Sequence, residues 1–191
     1  MFRWLPVLFL AIACAGCGTM DYRLGPQNFD VPGRKPGEGV VIASAGAAER
    51  CTSMSTSLTI APADQPYAKG GITAIPVDAY VFDSDYADHF GKLSVFSLPP
   101  GRYQLYPYLA NPYMVPKQVP KWEFSVEAGE VVYIGELFAT RSCSSSMLIE
   151  VRDEEARDLA LLRTRNPAFA DVTVVKRLSV EAGLLMGGEA K

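Results

Sequence analysis

His89 is the only histidine in the chain, and it lies in "DSDYADHFG" beside Asp83, Asp85 and Asp88. An imidazole among carboxylates suggests a cation site. An EF-hand loop counted from Asp83 fails, because position six is Asp88 rather than Gly and position twelve is Ser94 rather than Glu. Zinc would need further nitrogen or sulfur ligands, which the chain lacks. A Ser-His-Asp triad would use the same histidine, but the nucleophile elbow G-x-S-x-G is absent. Glu154 and Glu155 form a carboxylate pair that is better explained as charges at a helix start. No glycine loop of Walker or Rossmann type occurs. The plainer expectation for residues 83–91 is a solvated acidic loop between two strands. The sequence assigns no catalytic residue, metal or cofactor.

Cysteine offers a second chemistry. Cys14-Ala15-Gly16-Cys17 has the C-x-x-C spacing of a redox or metal pair, yet no strand-then-helix context surrounds it. Its position says more. Arg3 precedes an apolar run from Trp4 to Ala13, and small residues follow, which is the tripartite pattern of a secretory signal. A transmembrane helix needs about 20 apolar residues, and this run is too short.

With Ala15-Gly16-Cys17 at its exit, the segment resembles the lipobox of a bacterial lipoprotein precursor. The family usually has Leu where this chain has Cys14, and the frame ending Ala13-Cys14 competes. The resemblance implies removal of residues 1–16 and acylation of Cys17. Two or more acyl chains give stable membrane anchoring. Gly18 stands where the family's inner-membrane retention signal has Asp, which implies the periplasmic face of the outer membrane.

Removing Arg3 with the signal moves the formal charge from −3 to −4. A mildly acidic chain without a basic stripe is a poor nucleic-acid binder, so the lipid itself would make the membrane contact. Cys51 and Cys143 are the only cysteines in the remaining body. Export makes a disulfide between them the expectation, against the alternative of two buried thiols. The chain-entropy model gives such a long loop roughly 4–5 kcal/mol.

Residues 17–38 lack apolar periodicity and contain several Gly and Pro, as a flexible tether would, with a reach of roughly 25 Å. Residues 39–180 read as one β domain. Strand-like runs are "GVVIASA", "STSLTIAP", "ITAIPVDAYVF", "GKLSVFSL", "RYQLYPYLA", "KWEFSV", "VVYIGELFA", "SMLIEV" and "DVTVVKRLSV". Pro76 demotes part of the third to an edge. Trp122, Phe124 and Val126 share one face, and "EAGE" then turns as a hairpin would. A helix is expected near 153–165, acidic at its start, basic at Arg163 and Arg165, and stopped by Asn166-Pro167. Residues 181–191 read as a loose tail.

Seven or eight short strands and one C-terminal helix predict a mainly β protein, an antiparallel β-sandwich, with a small barrel as the alternative. "FSLPPGRYQLY" and "FSVEAGEVVYIGEL" resemble strand–turn–strand strings of small uncharacterised bacterial envelope lipoproteins carrying one Ig-like or transthyretin-like sandwich. That resemblance implies no agreed activity.

The most distinctive surface candidate is Tyr106 to Trp122, where Pro112, Pro116 and Pro120 recur among Tyr108, Tyr113, Met114 and Trp122. Aromatics on a stiff loop suit a glycan or a partner surface. The plainer alternative is that they cap the core. The sequence therefore predicts a non-enzymatic structural or interaction module, with an envelope protein or peptidoglycan as possible partner. A glycan- or small-ligand-binding domain is the alternative, and a hydrolase using His89 comes third.

Overall fold

A computed structural model describes residues 36–51, 56–65, 73–78, 83–109, 117–141 and 148–186. It is mainly β, with two sheets and one C-terminal helix. The strands are β1 (Gly39–Ala47), β2 (Thr56–Pro62), β3 (Thr73–Pro76), β4 (Phe90–Leu98), β5 (Gly101–Leu109), β6 (Gln118–Val126), β7 (Val131–Ala139), β8 (Ile149–Arg152), β9 (Val175–Lys176) and β10 (Val180–Met186). Helix α1 spans Glu155–Arg165, and a 3-10 turn follows at Pro167–Phe169.

The first sheet runs β4-β1-β7-β8, with β9 also paired to β7; the second runs β10-β6-β5-β2-β3. Their facing sides form the main core. Val41, Ala43 and Ala45 of β1 and Val132, Ile134 and Leu137 of β7 meet Leu58 and Ile60 of β2 and Trp122, Phe124 and Val126 of β6. A second core lies on the other side of the first sheet. There Val40, Ile42, Leu93, Val95 and Tyr133 pack beneath Leu159, Leu162 and Phe169. Strands β1 and β7 are buried throughout because they are covered on both faces.

Four expectations need correction. The sandwich is not wholly antiparallel, since β1 pairs with β7 in parallel and so does β9. The cause lies in the "EAGE" segment, which is not a hairpin turn. It carries the chain from one sheet to the other, so β6 and β7 face each other across the core instead of sharing a ladder. Gly129 takes the turn's left-handed position at φ 77°. Ten strands replace the seven or eight expected, three of them four residues or shorter. Finally, residues 181–186 of the supposed loose tail continue from Val180 as strand β10 and pair with β6, and Leu185 pins the strand against Tyr106 and Val119.

The helix begins two residues later than expected. Glu155 and Asp158 lie in its first turn and Arg163 and Arg165 in its last, as the macrodipole favours. Asn166 ends it and caps the next turn by accepting from Ala168 N–H at 3.1 Å.

Candidate functional site

Register on the helix-covered face of the first sheet stacks three cross-strand rows. Val95, Ile42 and Tyr133 form the first, Leu93, Ser44 and Glu136 the second, and Gly91, Gly46 and Phe138 the third. Strict alternation along β7 would send Glu136 into the apolar core. Gly135, at φ 101°, forms a bulge opposite the Ile42–Ser44 step and resets the phase. Glu136 therefore joins Tyr133 and Phe138 on the helix side. One glycine decides where the buried carboxylate points.

Above these rows α1 lowers Asp158, which is fully buried. Ser44 donates to its Oδ2 at 2.5 Å and Tyr133 donates to the same oxygen at 2.9 Å. Tyr86 donates to Oδ1 at 2.8 Å, and Arg157 donates to Oδ1 through Nε and a terminal nitrogen at 2.9 and 2.8 Å. Arg157 also reaches Glu136 Oε1 at 2.8 Å and lies 4.1 Å over the Tyr86 ring. Burial, and then the Asp158 carboxylate, push the Tyr86 and Tyr133 hydroxyls far above the ordinary phenol range. Both remain protonated donors. Burial opposes the Arg157 charge, but Asp158 and Glu136 outweigh it and hold the guanidinium above its usual range. One half-buried cation thus joins two buried carboxylates.

His89 completes the cluster from the side of the 83–89 loop. Its Nδ1 is 2.8 Å from Asp88 Oδ1. Its Nε2 is 3.0 Å from Glu136 Oε1, within ion-pair reach but out of line for a hydrogen bond. The ring stacks on Tyr86 at 4.6 Å and meets the Phe138 edge at 5.6 Å. Its side chain is only 8% exposed. The hydrogen bond from His89 lowers the Asp88 carboxyl below its usual range.

The three aspartates of this loop do not converge on a cation. Asp85 takes Lys92 at 3.0 Å and Arg165 at 2.8 Å, and accepts from Leu93 N–H at 2.9 Å. Asp88 turns to His89 instead. Among the described residues no group of three or more His, Cys, Asp or Glu could hold a metal ion. The ring partners of His89 are carboxylates and aromatics, and the Ser44 hydroxyl is spent on Asp158. The arrangement suits holding three segments together better than proton transfer to a substrate.

The residues singled out by sequence fall elsewhere. Trp122 is 3% exposed and belongs to the main core, so it is no surface anchor. The alternation that put it beside Phe124 and Val126 on β6 is the reason. Tyr108 lies in β5 opposite Ser57, and its side chain is outside the described residues. Cys17, Tyr113, Met114 and Cys143 are also outside them. Cys51 is fully buried, and its N–H donates to Asp78 O at 3.2 Å.

Sequence reasoning missed Ser44, Tyr86, Tyr133, Glu136, Arg157 and Asp158. Two signals were available: a lone acid in the apolar string "VVYIGELFA", and an aspartate one turn before Leu162 on the helix's apolar stripe. No family model, curated protein or solved structure matches this chain.

Proposed function

We propose that this chain is a bacterial envelope lipoprotein, anchored through Cys17 at the periplasmic face of the outer membrane. Its Ig-like or transthyretin-like sandwich would be a non-enzymatic structural or protein-interaction module. The observation that carries the module reading is the closed polar centre. Both Asp158 oxygens are occupied by internal donors, so its most concentrated chemistry is spent on cohesion.

The anchor fits the way the chain enters the domain. Val40 N–H donates to Glu130 O at 2.8 Å and Gly129 N–H to Glu38 O at 3.1 Å, so β1 begins beside the β6–β7 turn. Glu38, Glu127 and Glu130 lie there, and Arg177 holds Glu130 at 2.8 and 2.9 Å. The β5–β6 connection leaves from the opposite end of the strands and would face away from the membrane. A Cys51–Cys143 disulfide would tie down that far end. Its support is a Cys51 that is fully buried. The glycan-binding alternative is weaker because Trp122 lies in the core.

Palmitate labelling and membrane fractionation of Cys17→Ala test the anchor. Loss of label and release to the soluble fraction are expected. Label that survives Cys17→Ala but not Cys14→Ala would move the anchor to Cys14, and an unlabelled wild-type chain would end the lipoprotein reading. In-cell crosslinking should recover a recurrent protein partner, whereas cosedimentation with peptidoglycan alone would favour a glycan ligand.

A further inference from the structure

The polar centre under α1 does not balance its own charge. Asp158 and Glu136 are buried, and Arg157 is the cation that reaches both, at 2.8 Å each. Two carboxylates against one guanidinium leave a negative charge over, where an unpaired charge is costly. His89 is the next group in reach. Its Nε2 is 3.0 Å from Glu136 Oε1, the same oxygen that Arg157 takes.

Ring chemistry narrows the state of His89. A neutral imidazole has one N–H and one lone pair, whichever tautomer it adopts. Nδ1 faces Asp88 Oδ1 at 2.8 Å and Nε2 faces Glu136, so either neutral tautomer turns a lone pair on a carboxylate. The imidazolium carries N–H on both sides. Nε2 is out of line for a hydrogen bond, but ion-pair attraction depends on distance rather than alignment. The ring also packs on Tyr86 of its own loop, on Phe138 of β7, and on Gly46 and Gly91 of β1 and β4. Arg157 and Asp158 of α1 approach through Tyr86, and Arg152 of β8 lies 3.5 Å over the Phe138 ring. These two arginines oppose a proton on His89, but Arg157 is paired with both buried carboxylates and Arg152 with Glu150 at 3.2 Å.

His89 closes the loop that shields the outer edge of β4. Gly91 N–H donates to Ser84 Oγ at 3.1 Å, Asp85 N–H donates to Gly91 O at 2.8 Å, and Leu93 N–H donates to Asp85 Oδ2 at 2.9 Å. Residues 84 and 85 thus take the place of a further strand. We propose that His89 is a pH-sensitive latch on this loop. Protonated, it bridges Asp88 and Glu136 and holds residues 83–89 on the sheet. Deprotonated, it loses Glu136 and lets the loop lift from β4. The held form is therefore favoured at acidic pH and weakens as pH rises from 5 to 8, the range in which an imidazole changes charge. His89 is the only histidine, so a single ring accounts for the transition. Ordinary carboxylates titrate below that range and phenols above it. The latch depends neither on the lipid anchor nor on a partner.

The test uses the detergent-solubilised full chain between pH 5 and 8. Nitrogen-15 NMR reads the protonation of the one imidazole. Amide exchange, corrected for intrinsic rates, reads the loop and its edge over residues 84–93. Both ring nitrogens should carry protons at pH 5. Protection of the Asp85, Gly91 and Leu93 amides should fall about tenfold as the ring loses its proton, with coincident midpoints. In His89→Gln the protection should stay level across the range. Should that variant unfold by circular dichroism, Asp88→Asn carries the test, because its side chain is 79% exposed and the ring is kept. Removing that carboxylate should move both midpoints together to lower pH. A ring whose charge does not change between pH 5 and 8, level protection in the wild type, the same pH dependence in His89→Gln, or an unmoved midpoint in Asp88→Asn would each overturn the latch.

Discussion

Gly46 and Gly91 face each other across β1 and β4, and the His89 ring lies against both. A Cβ on Gly91 would stand 2.9 Å from His89 Nε2 and 2.9 Å from Tyr86 Cδ2. One on Gly46 would come within 2.8 Å of Phe90 O and 2.9 Å of His89 Cδ2. The Tyr86–His89 stack therefore occupies space that two missing side chains leave open.

That geometry sets the first expectation. Gly91→Ala should destabilise the fold by about 1–3 kcal/mol, the usual cost of overpacking, measured by urea unfolding. The penalty should shrink in a His89→Ala background, because the ring is one of the atoms displaced. Strict additivity in the double-mutant cycle would show that the ring does not rest there.

Asp158 is the hub of the helix–sheet junction. Asp158→Ala leaves Arg157 with Glu136 but strands the hydroxyls of Ser44, Tyr86 and Tyr133, and should cost at least about 3 kcal/mol, since each buried donor left unsatisfied costs about 1–3 kcal/mol. Near-wild-type unfolding would mean that these donors find other acceptors.

The alkaline limb of stability carries a third signature. The Tyr86 and Tyr133 hydroxyls are raised in the folded state, so the stability they contribute is fully present below the unfolded phenol value of about 10. It is lost as pH rises beyond that value, since only the unfolded chain releases these protons readily. Ultraviolet titration should place Tyr86 and Tyr133 among the tyrosines that ionise only as the protein unfolds, and Tyr86→Phe and Tyr133→Phe should each remove one phenol from that late step. Loss of a phenol that titrates near pH 10 in the folded protein, in either variant, would contradict the burial.

Trp122 supplies the fourth. In a Trp4→Phe background it is the single indole, and its emission should be blue-shifted and poorly quenched by iodide. Trp122→Ala should cost about 3–5 kcal/mol through the cavity it leaves. Emission typical of an exposed indole would return Trp122 to the surface.

Much of the architecture was legible because it rests on local periods. Alternation in "KWEFSV", charge polarity along α1 and the proline in β3 each mark an element or its place at an edge. Alternation reports which face a residue occupies, but not which strand lies beside it. That is why "EAGE" read as a hairpin when it joins two sheets. The polar centre was hidden for a related reason. Glu136 faces the helix only because Gly135 shifts the phase of β7, and Asp158 gains its meaning from Ser44 and Tyr133, which lie far away in sequence. Trp122 was placed at the surface by its proline-rich surroundings, although its own alternation already pointed inward.

The parallel pairing of β1 with β7 has a consequence for the order of assembly. The first strand to leave a ribosome or an export channel cannot complete its ladder until β2 through β6 have followed. Contacts of such long sequence separation form slowly. A chain of this design can pair β1 with β4 midway through its transit, but keeps the other edge of β1 open until β7 arrives.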